Sequence, residues 1–202
     1  MSLKEYNQLK EVFSKVSIAS DVEGILHWDM STMMPSNSRH NRANQLAFIA
    51  NLKHSLLSDP SVTELISNID ISQLSKNDLT NFKEMQREYV LLSSLPSDLV
   101  EAISKTSALC EGKWQEAKKN CDFSIVKSSL NELINLSKQE SEILSEKLNC
   151  SPYEALIQKY EPYSNVDHIT KVFQDLEIFL LSSIDKIIEK QKKESALSIE
   201  DE

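Results

Sequence analysis

Glycine is almost missing from this sequence: Gly24 and Gly112 are the only two in 202 residues. Two isolated glycines cannot build a dinucleotide-binding fingerprint or a phosphate-binding loop, so nucleotide binding by those routes is excluded. Proline is scarce as well, with five residues. So few turn-formers disfavour hairpin-rich sheets and favour long helices joined by short connections. The three cysteines, Cys110, Cys121 and Cys150, are odd in number and widely spaced, with no C-x-x-C pair. Neither a disulfide framework nor a zinc knuckle is encoded, and reduced thiols of a cytoplasmic protein are the simplest reading. No run reaches the roughly 18 apolar residues that a membrane span requires. The opening "MSLKEYNQLKEVF" lacks the apolar core of a signal peptide. Basic clusters are missing too. Net charge is −9, and the nearest approach to a cluster, "EKQKKE" at 189–194, is balanced by its own glutamates. Nucleic acid and membrane are therefore not expected partners.

What is present is helical spacing of apolar residues almost throughout. Tyr6, Leu9, Phe13 and Val16 form a first stripe. After Pro35, "SNS" offers caps for a helix carrying Leu46, Ile49 or Ala50, and Leu56 or Leu57. Asp59 and Pro60 stand at the cap and first position of a short helix. "SKND" at 75–78 is a capping-box variant ahead of Leu79, Phe82, Met85, Tyr89 and Leu92. "LPSDL" at 95–99 opens a helix with Leu99, Ile103, Cys110, Trp114 and Ala117 on one side. Asp122 or Ser124 caps the next, which passes through Leu130, Leu133, Ile134 and Leu144. Ser151 and Pro152 begin a short helix, and Pro162 marks its exit. Val166, Ile169, Phe173, Leu176, Leu180, Ile184 and Ile187 line a long last helix, with Ile178, Leu181 and Ile188 widening its apolar arc. The expectation is an all-α, multi-helix bundle of about eight helices in a single domain, 1–202. The tail "ALSIEDE" shows no cap signal and reads as cut rather than finished.

Chemistry is concentrated in "HWDMSTMMPSNSRHNRANQL" at 27–46. A zincin site needs H-E-x-x-H, and a di-iron bundle needs paired E-x-x-H motifs; neither string occurs. Glu23, His27 and Asp29 are close in sequence, but no further ligand cluster accompanies them, so a hydrogen-bonded structural His is expected. Cys110 lies on an apolar stripe and reads as core rather than nucleophile. The corner itself reads as structural. Trp28 and Trp114 are expected to be buried fillers, with Met33 and Met34 beside Trp28. Asp29 is expected to cap a backbone turn near Thr32 or to pair with Arg39 or Arg42.

The same stretch resembles the N-terminal signature of the M32 family of metallocarboxypeptidases, through Trp28, Asp29, Thr32, Met34, Pro35, Arg42, Gln45 and His54 in order and spacing. The resemblance continues through Arg87, Leu95, Pro96, Trp114, Ala117, Asp122 and Phe123, and then Tyr153, Leu156, Tyr160, Glu161 and Pro162. Lys118 stands where the family usually has Arg, and Val126 and Ser128 replace its Phe and Pro.

The resemblance implies a large, mostly helical zincin-like carboxypeptidase with a deep cleft. In the family, zinc or another divalent metal is held by H-E-x-x-H and a downstream glutamate, and the motif glutamate is the general base. Those elements and the substrate-carboxylate contacts lie outside this sequence. No catalytic, cofactor-binding or metal-ligating residue is therefore assigned within it, and no peptidase turnover is expected from it alone. The alternative is a non-catalytic interaction module from a truncated or split gene. Its partner would be a second copy in a two-fold dimer or a separately encoded C-terminal half.

Overall fold

A computed structural model describes residues 2–193, and among them there are eight α-helices, two short 3-10 turns and no strand. The helices are α1 (Ser2–Thr32), α2 (Arg39–Leu57), α3 (Pro60–Asn68), α4 (Lys76–Ser93), α5 (Ser97–Asn120), α6 (Ser124–Leu148), α7 (Pro152–Ile157) and α8 (Val166–Lys193). The chain divides into two compact units, Met1–Ala155 and Leu156–Glu202. No described helix is long and apolar enough to cross a membrane.

Local chemistry sets most helix starts in the first unit. Asp59 accepts the Ser61 amide at 2.9 Å, with Pro60 in the first turn where its missing N–H costs nothing. Ser75 accepts the Asp78 amide at 3.2 Å and donates to the Asp78 carboxylate at 2.6 Å. Asp122 accepts the Ser124 amide at 2.9 Å ahead of α6. Ser151 and Glu154 form a reciprocal box: Ser151 N–H donates to the Glu154 carboxylate at 3.2 Å, and Glu154 N–H to the Ser151 hydroxyl at 3.3 Å. The "SNS" segment departs from expectation. Ser36–Ser38 winds into a 3-10 turn, and α2 begins at Arg39 with no side-chain cap.

The largest core cluster packs α1 against α3 and α4 and the ends of neighbouring segments. Tyr6, Leu9, Phe13 and Val16 are buried with Leu57, Val62, Phe82 and Met85. Tyr6 satisfies its hydroxyl there, accepting from Asn81 at 3.0 Å. A second cluster joins Leu95, Leu99, Leu144 and Ala155. A third is built of small residues: Ala43 and Leu46 of α2 against Ala108 of α5, with Leu26 and Met30 of α1 packed on it.

In the second unit, Gln158 closes the turn before α8. Its amide donates to the Ser164 carbonyl at 2.7 Å and its carbonyl accepts the Tyr163 N–H at 2.9 Å. Asn165 accepts the His168 amide at 2.8 Å and starts α8. Every large apolar side chain of α8 from Val172 to Ile188 is exposed.

Candidate functional site: the corner between the first two helices

The helix α1 runs four residues beyond Trp28, and the side chains that follow close its end. Thr32 donates its hydroxyl to the Trp28 carbonyl at 2.7 Å, and Ser31 donates to that of His27 at 3.0 Å. The Asp29 carbonyl accepts the amides of Met33 and Met34 at 3.0 and 2.9 Å, after which Pro35 prevents continuation. The last turn of α1 contains no basic residue. Arg42 supplies the missing positive charge from α2. One guanidinium nitrogen donates to the Leu26 carbonyl, a second to the Asp29 carboxylate at 2.6 Å, and Nε to Gln45 Oε1 at 2.9 Å. A cation near a helix C-terminus is favoured by the helix dipole, and here it also adds a bond to a carbonyl one to two turns inside the helix. Side-chain exposure is 12% for Arg42 and 34% for Asp29, so the pair is only partly screened by water.

Three further contacts tie this corner to its surroundings. Glu23 pairs with Lys53 of α2. Arg39 reaches Glu116 of α5 at 3.7 Å and crosses directly over Gly112, where an added methyl carbon would lie 2.7 Å from Arg39 Cδ. His54, buried near the end of α2, places Nε2 2.7 Å from the Leu95 carbonyl and so anchors the loop before α5. Sequence spacing does not announce these partners, because they join residues 30, 77 and 41 positions apart.

Asp29 pairs with Arg42, one of the two arginines expected, while Arg39 turns to α5. The burial expected of the two tryptophans is wrong. Trp28 is 63% exposed and Trp114 51% exposed, and Met33 is exposed as well. The stripe that begins at Tyr6 continues through Ala19 to Leu26 and Met30, and Trp28 lies off it. Trp114 sits where α5 has turned small residues to its neighbours: Ala108 packs toward α2, and Cys110 and Ala117 toward Val126 of α6. Its indole lines an open groove of about 730 Å³ with Phe123, Leu130 and Leu133, and Lys118 Nζ lies 5.4 Å from the ring centroid. The Cys110 thiol in that groove is buried, and burial pushes its pKa up although Lys113 opposes the shift. A thiol held protonated is a poor nucleophile, in keeping with a core role.

The scattered histidines do not assemble a metal centre. His27, His40 and His168 are exposed, and His54 is committed to Leu95 and Ser58. Of the three neighbours weighed as ligands, Glu23 and Asp29 face basic partners instead. Among the described residues, no group of three or more His, Cys, Asp or Glu is placed to hold a metal ion. The corner can clamp helices, through the Asp29–Arg42 and Glu23–Lys53 pairs.

With that geometry in place, the carboxypeptidase Taq (M32) metallopeptidase model matches residues 8–201. The chain belongs to the M32 family. It is 25% identical over 200 residues to thermostable carboxypeptidase 1 of Thermus thermophilus, covering 93% of this chain and 39% of that protein. Against thermostable carboxypeptidase 1 of Pyrococcus furiosus the identity is 26% over 186 residues, covering 92% and 37%. Among solved structures, metallocarboxypeptidase 1 of Trypanosoma cruzi superposes with a TM-score of 0.79 at 27% identity, covering 98% of this chain and 40% of that one. This M32 chain thus spans about two fifths of the length of the relatives it matches.

Proposed function

We propose that residues 1–202 act as one helical domain, the N-terminal part of an M32 carboxypeptidase, whose parent activity is release of C-terminal amino acids from peptides. The observation that carries this reading is the family match over 8–201. Its span of about two fifths of the relatives, and a sequence without H-E-x-x-H, support placing catalysis outside it. The catalytic zinc, or another divalent metal, would then be held by polypeptide outside these residues. The role of this chain is to form and brace a wall of the substrate cleft, with the Asp29–Arg42 clamp fixing the angle between α1 and α2. The chain alone does not hydrolyse peptides. We place it in the cytoplasm; the three cysteines, free among the described residues, are compatible with that setting.

A second reading is a non-catalytic helical module that pairs with another copy or with a separately encoded C-terminal half. The exposed Ile18, Val22, Ile25, Trp28 and Phe48 of α1 and α2 favour it, because apolar surface of that kind usually marks an interaction site.

One experiment separates chain from parent activity. The purified chain is supplied with zinc, then offered a peptide with a free C-terminus. No released amino acid and no stoichiometric metal are expected. About one tightly bound metal per chain, with chelator-sensitive release of C-terminal residues, would overturn the proposal.

A further inference from the structure

The helix α8 is a long element with a one-sided problem. Its large apolar residues Phe173, Leu176, Leu180 and Ile184 are exposed, and so are Phe179 and Leu181 beside them. At 3.6 residues per turn, the apolar positions from Val166 to Ile188 sweep an arc of roughly 200°, with Ile178 alone set apart on the polar side. A two-stranded seam covers a much narrower stripe, so pairing with one other helix leaves much of this arc wet. The arc fits a groove that touches it on two sides.

One charge sits inside the arc. Glu177 has Phe173 four residues before it, and Leu180 and Leu181 three and four residues after it. Helical geometry puts all of them on the same face. The other acidic residues of the middle turns, Asp175 and Asp185, fall on the opposite, polar face with Lys171 and Lys186. Whatever covers the arc must therefore also cover a carboxylate. An uncompensated buried carboxylate is strongly unfavourable, so the covering surface has to present a cation or several hydrogen-bond donors there.

This requirement discriminates between occupants. Glu177 stands midway between Val166 and Ile188, the ends of the apolar span. An antiparallel pair centred on that span sets Glu177 against the same residue of the other copy, and so does a parallel pair in register. Both arrangements bring like charges together in a desolvated seam. A different polypeptide has no such constraint. The relatives supply the length: this chain matches 39% and 37% of two of them, leaving roughly three fifths of each outside the match.

We infer that the α8 arc is the docking face for the remaining M32 polypeptide, which receives it in an apolar groove carrying an Arg or Lys opposite Glu177. The inference rests on the N-terminal-part reading above and adds the surface and the chemistry of its partner.

The test is co-expression of the full 202-residue chain with the segment of the Thermus thermophilus relative that lies outside the match. The expected result is a one-to-one complex in which α8 amides exchange slowly, against fast exchange in the chain alone. Glu177→Lys should weaken the complex by roughly thirtyfold or more, the size expected when one partner of a desolvated pair is reversed. Asp175→Lys, on the polar face, should leave it within about threefold. A complex in which α8 stays unprotected, or in which both substitutions act alike, overturns the inference. If that complex still releases C-terminal residues from peptides, the N-terminal-part reading survives. Failure to form a complex overturns it too, and so does α8 protection that rises with the concentration of the chain alone, which assigns the face to a second copy.

Discussion

The two halves of α1 are held by different physics. From Tyr6 to Val16 the helix is fixed by burial: the four stripe residues are nearly inaccessible and face Leu57, Val62 and Phe82. From Glu23 to Thr32 ion pairs are added to the packing of Leu26 and Met30: Lys53 and Arg42 reach from α2 to Glu23 and Asp29, while Trp28 faces outward. Burial is non-directional and tolerates small shifts, whereas the guanidinium fork of Arg42 specifies an orientation. The first half sets that α1 belongs to the core; the second sets the angle at which α2 leaves it.

Substitutions along α1 and its partners can break that contrast. Leu9→Ala should have the largest effect, about 2–5 kcal/mol in chemical denaturation, because it leaves a cavity among side chains that cannot collapse. Asp29→Ala should cost less, about 1–3 kcal/mol, since Arg42 keeps its bonds to Leu26 and Gln45. A loss from Asp29→Ala equal to that from Leu9→Ala would erase the distinction between the halves. Smaller still is the acid sensitivity of the Asp78 cap. Hydrogen bonds from Ser75, and then from Tyr6, hold the Asp78 carboxyl below its usual value. A depressed folded pKa stabilises the native state above the unfolded value, and that contribution is lost as pH falls through the folded one. Asp78→Asn should therefore flatten the acid limb of the stability curve, and an unaltered acid limb would show that the Asp78 carboxylate contributes nothing there. The smallest effect belongs to Gly112→Ala. The new methyl displaces the outer part of the Arg39 side chain, a flexible group in a loose pair with Glu116, while alanine gains about 1 kcal/mol of helix propensity over glycine. The melting midpoint should stay nearly constant, and a large drop would show that Arg39 is held as firmly as Arg42.

Much of the helical framework was legible in the residues because its causes are local. Asp59–Pro60, Ser75–Asp78 and Ser151–Pro152 mark helix starts through atoms two or three residues apart. The α1 stripe likewise follows from the period alone. Asp29 was legible as an ion-pair partner, since Arg39 and Arg42 are the nearby cations, but choosing Arg42 required the crossing of α1 and α2. Trp28 and Trp114 were misread for one physical reason. A large aromatic is expected to fill a core, but filling needs a neighbour on its own side, and Trp28 and Trp114 stay 63% and 51% exposed. The bonds of Arg42 to Leu26 and of His54 to Leu95 have no local signal, because a side chain reaching a distant backbone carbonyl leaves no pattern in sequence.

The central claim is that the corner between α1 and α2 is a structural clamp built on Asp29 and Arg42. A double-mutant cycle of Asp29→Ala and Arg42→Ala, read by denaturant unfolding of the full chain, tests it most directly. The account predicts a coupling of at least about 1 kcal/mol, because removing either partner already abolishes the shared bond. Single substitutions that leave stability unchanged, or effects that add to within about 0.5 kcal/mol, would contradict it.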